Sequence, residues 1–141
     1  METLRRSRAG RSPGGLGIGL WSAQGLLALT LVGGGLWKLV TPVEQVAEAF
    51  AWAGELPDLL HATAVLDILG GFGVLLPSLT RVRPGLAVLA ALGVVAQMAS
   101  AIVFHVARGE GADTGFDVVL AALALFVAWG RHRKAPIPPR G

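Results

Sequence analysis

The stretch of sequence that decides the fold is residues 85–107, which read GLAVLAALGVVAQMASAIVFHVA. It contains no Lys, Arg, Asp or Glu, and its few polar side chains include Gln97 and His105. A helix needs roughly 20 mostly apolar residues to cross about 30 Å of hydrocarbon. An open strand would leave its edge amides without hydrogen-bond partners in lipid. The stretch therefore predicts a membrane-spanning helix.

Three further stretches are also mostly apolar, with one charged residue each, and they occupy residues 18–40, 59–76 and 115–130. Together with residues 85–107 they predict an all-α integral membrane protein, a four-helix bundle over residues 18–130. The remaining segments, 1–17 and 131–141, are basic and poor in apolar residues. We expect both of them to be disordered, because they lack the side chains needed to build a core.

The composition of the chain supports a membrane location. Of its 141 residues, 53% are apolar and 15% are charged, whereas an ordinary soluble domain has about 25% charged residues. So few polar side chains cannot coat a water-exposed surface, which argues against a soluble enzyme, a disordered chain and a nucleic-acid-binding protein. The chain has no cysteine, so disulfides, thiolate metal sites and thiol redox chemistry are excluded within it.

The basic residues are distributed unevenly among the segments that flank the spans. All but two of the 12 Lys and Arg residues lie before the first span, between the second and third, or after the fourth. The first connection, residues 41–58, has no Lys or Arg and carries Glu44, Glu48, Glu55 and Asp58. Because Lys and Arg are enriched in cytoplasmic loops, we expect both termini to be cytoplasmic. An even number of spans agrees with this orientation.

A secretory signal peptide is the alternative interpretation of the first span, since basic residues precede an apolar run. The run is longer than the 7–15 apolar residues of a typical signal peptide. We therefore expect residues 18–40 to remain as a span.

The first outer connection carries an amphipathic pattern. Apolar residues recur at helical spacing from Val43 to Phe50, opposite Glu44 and Glu48. Pro42 suits the first turn of a helix. The pattern predicts a short amphipathic helix that lies on the outer membrane surface.

The four Trp residues fall near the predicted ends of the spans. Trp21 lies near the inner end of the first span and Trp37 near its outer end, Trp129 lies at the inner end of the fourth, and Trp52 lies in the first outer connection. Because Trp is enriched at membrane interfaces, we interpret all four as interfacial anchors.

Polar side chains within the spans lie toward one side of the membrane. Asp67 lies about 12 Å from the outer end of its span, at about 1.5 Å per residue. At such a depth an aspartate costs about 2.5–3.5 kcal/mol, so it must be protonated, paired or open to water. The neighbouring spans place other polar groups on the same side. We predict an outward-facing polar pocket formed by Lys38, Asp67, Gln97 and His105, with His61, Arg108 and Glu110 at its mouth.

Each residue of this pocket also has a purely structural interpretation. Lys38 can extend its ammonium group to the interface, and His105 can be an ordinary boundary histidine. Asp67 and Gln97 can form interhelical hydrogen bonds that stabilise packing. The side of the membrane that they share favours a pocket. Three histidines without cysteine are weak metal ligands as a set, so we expect no metal site.

Four segments of the chain resemble the DoxX-like family of small bacterial membrane proteins, and they are LLALTLVGGGLWKLVTP (26–42), LDILGGFGVLLP (66–77), MASAIVFHVARGE (98–110) and VLAALALFVAWGR (119–131). The shared marks are a lysine that closes the first helix, an acidic residue before a glycine-rich stretch that ends in proline, and a His-x-x-Arg-Gly-Glu segment. Here these are Lys38, Asp67 and residues 105–110. The resemblance extends from about Trp21 to Arg131.

The resemblance implies a four-helix protein of the bacterial inner (plasma) membrane. DoxD-like relatives are linked to quinone-dependent sulfur oxidation, and other members to membrane oxidoreductase complexes. It therefore implies quinone as a candidate ligand and a membrane redox protein as a candidate partner, besides the lipid bilayer itself. It carries no established catalytic residues onto this chain.

Three functions fit the sequence. The first is an accessory or quinone-contacting subunit of a membrane redox system. The second is a transporter of a small molecule or lipid in which Asp67 titrates. Four helices are few for alternating access, so a transporter would act as a homodimer. The third is a structural assembly factor. The sequence contains no catalytic motif, which argues against an enzyme.

Overall fold

The computed structural model of the protein describes residues 14–139, so most of the predicted segment 1–17 lies outside the described residues. The helices are α1 (Gly15–Val40), α2 (Val43–Ala49), α3 (Ala51–Glu55), α4 (Pro57–Thr80), α5 (Gly85–Ala107) and α6 (Gly115–Trp129). A short 3₁₀ turn, Gly111–Thr114, precedes α6, and a π turn, Gly130–Lys134, follows it.

Within residues 14–139, four helical segments are long and apolar enough to cross a membrane: α1, α4, α5 and α6 with its π turn. The residues that the structure describes contain no strand. The prediction of an all-α membrane bundle is therefore confirmed. The observed bounds of α5 agree with the sequence pattern, whereas α4 is longer than its predicted apolar run. It begins at Pro57 and continues through Pro77 to Thr80.

The four long helices run alternately in opposite directions and form a closed ring. In this ring α1 packs on α4, α4 on α5, α5 on α6, and α6 on α1. We call the end that holds residues 41–56 and 108–114 the α2/α3 end. The opposite end, with the α4–α5 turn and residues 130–139, is the terminal end. The topology thus separates an acidic end from a basic one.

The contact between α1 and α4 is extensive and depends on glycine. A Cβ atom added at Gly35 would lie 2.7 Å from the carbonyl oxygen of Ala64. One added at Gly71 would lie 2.7 Å from Cγ2 of Val32. Small residues let helix backbones approach in lipid, where dispersion contacts replace the hydrophobic effect. These two glycines therefore fix the position of α4 against α1.

The amphipathic pattern of the first connection forms two short helices rather than one, since α2 ends before Phe50 and α3 starts after it. Val46 is fully buried, while Glu44 and Glu48 are exposed, as the pattern predicts. Val46 packs with Trp52, Ala53 and Leu60, and Phe104 of α5 packs against this group. The two helices therefore cover one end of the bundle.

The C-terminal end of the fourth span differs from the sequence-based expectation. The predicted disordered tail starts at residue 131, whereas the structure continues as a π turn to Lys134 and buries Arg131. The reason is a polar partner on another helix, because Arg131 donates from Nε to Oε1 of the buried Gln24. Residues 135–139 have no regular secondary structure.

Candidate functional site

A large cavity lies between the four long helices, in the half of the bundle nearer to α2 and α3. Its volume is about 1070 Å³, and ligand pockets for drug-sized molecules occupy about 300–1,000 Å³. Most of the side chains that line it are apolar, and the aromatic ones are Trp37, Phe50, Trp52, Phe104 and Phe116. The cavity therefore has room for a mostly apolar ligand with a ring.

Three polar side chains from three helices meet in the wall of this cavity. Oδ2 of Asp67 lies 2.9 Å from Nζ of Lys38, and Oδ1 accepts a hydrogen bond of 2.5 Å from Nε2 of Gln97. Asp67 itself is only 5% exposed. We call Lys38, Asp67 and Gln97 the Asp67 cluster. Its ion pair has no net charge, which lowers the free-energy cost of an aspartate at this depth.

The close contact between α1 and α4 positions the ion pair. Gly35 lies one turn before Lys38 on α1, and a Cβ added at Gly35 would lie 3.3 Å from Cβ of Asp67. Because residues at i and i+3 share a helix face, the same approach that brings Gly35 onto α4 brings Lys38 over Asp67. The glycine-rich stretch of α1 thus serves the site as well as the packing.

His105 lies in the same cavity but outside direct contact with the Asp67 cluster. Its Nδ1 is 4.0 Å from Oε2 of Glu110, and its Nε2 is 3.9 Å from Oδ2 of Asp117. Both distances are too long for a hydrogen bond. The ring also makes edge-on contacts with Trp52 and Phe104. The imidazole is therefore held between aromatic rings and carboxylates.

Two buried nitrogen atoms of the cavity wall have no hydrogen-bond partner among residues 14–139. They are Nδ1 of His105 and Nε1 of Trp52. A buried polar group without a partner costs roughly 1–3 kcal/mol, and most such groups in proteins are satisfied by protein or water. Two residues that line the cavity thus keep an unsatisfied hydrogen-bonding group.

The predicted mouth residues are distributed over two places. Arg108 donates to Glu55 of α3 and to Glu110, in both cases over 2.6 Å. These hydrogen bonds, the one to Glu55 first, raise the pKa of Arg108 above its ordinary value. The three residues tie α3 to the α5–α6 connection beside His105. His61 is exposed and does not line the cavity.

The structure brings Lys38, Asp67, Gln97 and His105 into one cavity. The sequence pattern places these residues toward the same side of the membrane. Sequence reasoning missed Trp52, which is 7% exposed and buried against α5 rather than placed as an interfacial anchor. It also left Asp117 out of the pocket. The first turn of α6 starts at the end where α5 stops, and this antiparallel pairing could have placed Asp117 near His105.

Metal binding has no geometric support in the part of the chain that the structure describes. Among the side chains that the structure describes, no three of His, Asp or Glu are grouped so that they could hold a metal ion. The cavity instead combines an apolar volume, one neutral ion pair and unpartnered ring nitrogens. This arrangement suits an uncharged ligand that has an apolar body and polar atoms at one end.

Comparison with known proteins gives one match. The family model described as the DoxX-like family matches residues 22–127. No curated protein and no solved structure matches the chain. The matched residues include all four side chains that were predicted to form the pocket, and they stop before Arg131.

Proposed function

This chain belongs to the DoxX-like family, and from that premise we propose that it binds a quinone in its cavity as an accessory subunit of a membrane redox system. Its four apolar helices make it a multi-pass membrane protein. The observation that carries the proposal is the pair of unpartnered nitrogens, on Trp52 and His105, in the wall of an apolar cavity.

The chemistry of a quinone matches this wall. A quinone has a flat ring, an apolar tail and two carbonyl oxygens that accept hydrogen bonds without donating any. The indole N–H of Trp52 can only donate. The ammonium group of Lys38 has three donors, and one of them reaches Asp67. Aromatic side chains that surround these donors supply flat surfaces for the ring.

The charge of the cavity argues for a neutral ligand over an anionic one. Lys38 already faces Asp67, so its positive charge is balanced. His105 lies near the carboxylates of Glu110 and Asp117. A phosphate or carboxylate in the cavity would meet these acidic groups without a free cation. A neutral carbonyl oxygen would not suffer this repulsion.

The part assigned to this chain is to bind and orient the quinone. The chain contains no cysteine, so thiol chemistry cannot carry electrons through it. Electron transfer is therefore assigned to the partner protein of the membrane system. Purification of the gently extracted protein followed by native mass spectrometry should then show a quinone, a second protein chain, or both.

We further propose that both termini lie in the bacterial cytoplasm, with the cavity toward the outer half of the plasma membrane. The support is the position of the basic residues, since Arg81 and Arg83 share the terminal end with Arg131, Arg133 and Lys134. Green fluorescent protein fused to the C-terminus should fluoresce, and alkaline phosphatase fused there should be inactive. The opposite pair of results would reverse the orientation.

A direct test of quinone binding uses the intrinsic fluorescence of the protein in nanodiscs. Decylubiquinone should quench the tryptophan emission with a saturable component. Trp37 and Trp52 line the cavity, whereas Trp21 and Trp129 do not. Trp52→Phe should therefore reduce the saturable quenching to the part that comes from Trp37, and Trp129→Phe should preserve it. Equal loss in both variants would indicate unspecific quenching from the bilayer.

Two glycines of α1 provide a matched pair of variants for the same titration. Gly34 lines the cavity and Gly33 does not, and a Cβ added at either position would meet no atom within 4 Å. Gly34→Leu should fill part of the cavity and weaken the saturable quenching at least about tenfold, the equivalent of about 1.4 kcal/mol. Gly33→Leu should bind as the original protein does. Unchanged binding in Gly34→Leu would contradict the proposed site.

A transporter is the second candidate, and the ion pair of Asp67 inside an open cavity favours it. In this case a substrate or proton would compete with Lys38 for the carboxylate. Uptake by proteoliposomes should then be lost in Asp67→Asn. Equal uptake by both forms would exclude a titrating role for Asp67, and saturable quinone binding without uptake would favour the first function.

A further inference from the structure

A second polar cluster lies in the terminal half of the bundle. Nε2 of Gln24 donates to the carbonyl oxygen of Val74 over 2.8 Å and to Oγ of Ser78 over 2.9 Å. Oε1 of the same amide accepts from Nε of Arg131 over 2.8 Å. We call Gln24, Ser78 and Arg131 the Arg131 cluster. Its members are at most 7% exposed.

The guanidinium group of Arg131 is surrounded by neutral partners. Nη1 donates to the carbonyl oxygen of Ala135 over 3.0 Å, and the ring of Trp21 lies 4.8 Å from Cζ. Nη2 is buried and has no partner among residues 14–139. A buried charge without a counter-ion is costly, and arginine keeps its proton in proteins. An anion beside the guanidinium would therefore lower the free energy of the cluster.

The residues that the structure describes supply no acidic side chain in this half of the molecule. Every Asp and Glu between residues 14 and 139 lies in α2, α3, the α5–α6 connection, or the parts of α4 and α6 nearer the α2/α3 end. The terminal end instead carries five basic residues, namely Arg81, Arg83, Arg131, Arg133 and Lys134. This surplus of positive charge would attract an anion from solution or from a lipid surface.

A pocket is available beside the buried guanidinium. Its volume is about 290 Å³, and Arg131, His132 and Ser78 line it together with apolar residues that include Val88 and Ile137. The hydroxyl oxygen of Ser78 accepts from Gln24, which leaves its proton available for donation. The pocket thus combines a buried cation, a hydroxyl donor and an apolar wall.

We propose that this pocket binds a phosphoryl anion, with Nη2 of Arg131 and the hydroxyl of Ser78 as donors. The planar guanidinium fork suits the oxygens of a phosphate. The phosphoryl group can belong to the headgroup of an anionic phospholipid or to a soluble phosphate. Arg131 follows residue 127, where the match of the family model ends, whereas Ser78 lies within the match. The site is independent of quinone binding in the cavity.

The test measures thermal unfolding of the full chain in a zwitterionic detergent, with additions of phosphatidylglycerol, phosphatidylcholine or inorganic phosphate. Phosphatidylglycerol should raise Tm in a saturable way, and phosphatidylcholine should not. Saturable stabilisation by inorganic phosphate alone would assign the site to a soluble phosphate. Stabilisation by phosphatidylglycerol or by inorganic phosphate supports the proposal only if the stabilisation depends on Arg131.

Two variants with the same change of charge establish this dependence. Arg131→Gln should weaken the apparent affinity for phosphatidylglycerol at least about tenfold, because hydrogen bonds to charged groups are among the stronger ones. Arg133→Gln changes an exposed residue close by and should respond as the original protein does. Equal responses of the two variants would overturn the proposal, since they would show attraction to surface charge alone.

A third variant keeps the test decisive if Arg131→Gln fails to fold. Gly85 lines the pocket, and a Cβ added there would meet no atom within 4 Å. Gly85→Leu therefore fills the pocket and leaves Arg131 and its partners in place. It should lose the stabilisation by phosphatidylglycerol and retain saturable quenching by decylubiquinone. Full stabilisation of Gly85→Leu by the lipid would contradict the site.

Discussion

The two polar clusters of the bundle differ in both packing and charge. The Asp67 cluster borders a cavity of about 1070 Å³ and pairs one cation with one anion. The Arg131 cluster is enclosed by helices and holds a cation whose partners in the described chain are neutral. A cavity with balanced charge suits a neutral ligand, whereas a small pocket beside an unbalanced cation suits an anion. Polarity inside a membrane protein therefore does not by itself define the ligand.

The glycines show the same contrast between close packing and open space. A Cβ at Gly35 or Gly71 would lie 2.7 Å from an atom of the facing helix. A Cβ at Gly34 or Gly93, which both line the cavity, would meet nothing within 4 Å. Neighbouring positions on one helix thus serve different purposes. The first kind of glycine allows contact between helices, and the second kind leaves volume for a ligand.

The largest effect is expected where packing is closest, in Gly35→Leu. The new side chain would press on the backbone carbonyl of Ala64, which cannot move without shifting α4. Overpacking usually costs about 1–3 kcal/mol, and a backbone neighbour places this variant at the upper end or beyond. The folded fraction of the extracted protein should fall sharply by size-exclusion chromatography. Gly33→Leu is the matched control and should fold, so equal yields would contradict the close contact.

The next largest effect should come from dividing the ion pair of the Asp67 cluster. Asp67→Asn leaves the ammonium of Lys38 without its counter-ion, and breaking a buried pair costs about 3–5 kcal/mol. The side chain of Lys38 is 20% exposed, so we expect about 2–3 kcal/mol from thermal or denaturant unfolding. The double variant Lys38→Met/Asp67→Asn should recover part of this loss. If the loss of stability in the double variant equals the sum of the losses in the two single variants, the two side chains do not interact.

The spans could be predicted from the sequence because hydropathy is a local property. Residues 85–107 form α5 as the pattern indicates. The meeting of Lys38, Asp67 and Gln97 could also be anticipated, since depth along each span places them on the same side of the membrane. The side of the membrane on which a residue lies follows from the bounds and the direction of its span. It can therefore be predicted without knowledge of the tertiary contacts.

The rest of the arrangement depends on how the helices rotate about their axes. Gln24 and Arg131 are 107 residues apart in sequence, and no local sequence pattern predicts the hydrogen bond between them. Arg131 looks like an ordinary cytoplasmic charge until a buried amide is found opposite it. His61, which the sequence predicts at the mouth of the pocket, is exposed and does not line the cavity. Its direction follows from the rotation of α4, which the contact at Gly35 and Gly71 determines.

Removing one amide from each cluster compares the two regions directly. Gln24→Leu removes the amide that accepts from Arg131 and donates to Ser78. Because Gln24 is fully buried, water cannot replace it, and the free energy of unfolding should fall by about 1–3 kcal/mol. Gln97→Leu takes away a donor to Asp67 at the edge of the cavity, where water can replace it. We expect less than about 1 kcal/mol for Gln97→Leu. A larger loss of stability in Gln97→Leu than in Gln24→Leu would contradict the conclusion that the Arg131 cluster is the more enclosed of the two.

The smallest effect is expected at the surface of the α2/α3 end, in Arg108→Ala. Arg108 is exposed, and its hydrogen bonds to Glu55 and Glu110 compete with water and salt. Because these bonds raise the pKa of Arg108, the guanidinium stays charged at every pH at which the protein can be handled. Its contribution should therefore be lost through salt rather than through deprotonation. At about 1 M salt the screening length falls to about 3 Å, and the Tm difference between Arg108→Ala and the original protein should vanish. A difference that persists there would mean that the guanidinium of Arg108, whose Cζ lies 5.4 Å from the centroid of the Phe104 ring, stabilises the end of the bundle by packing.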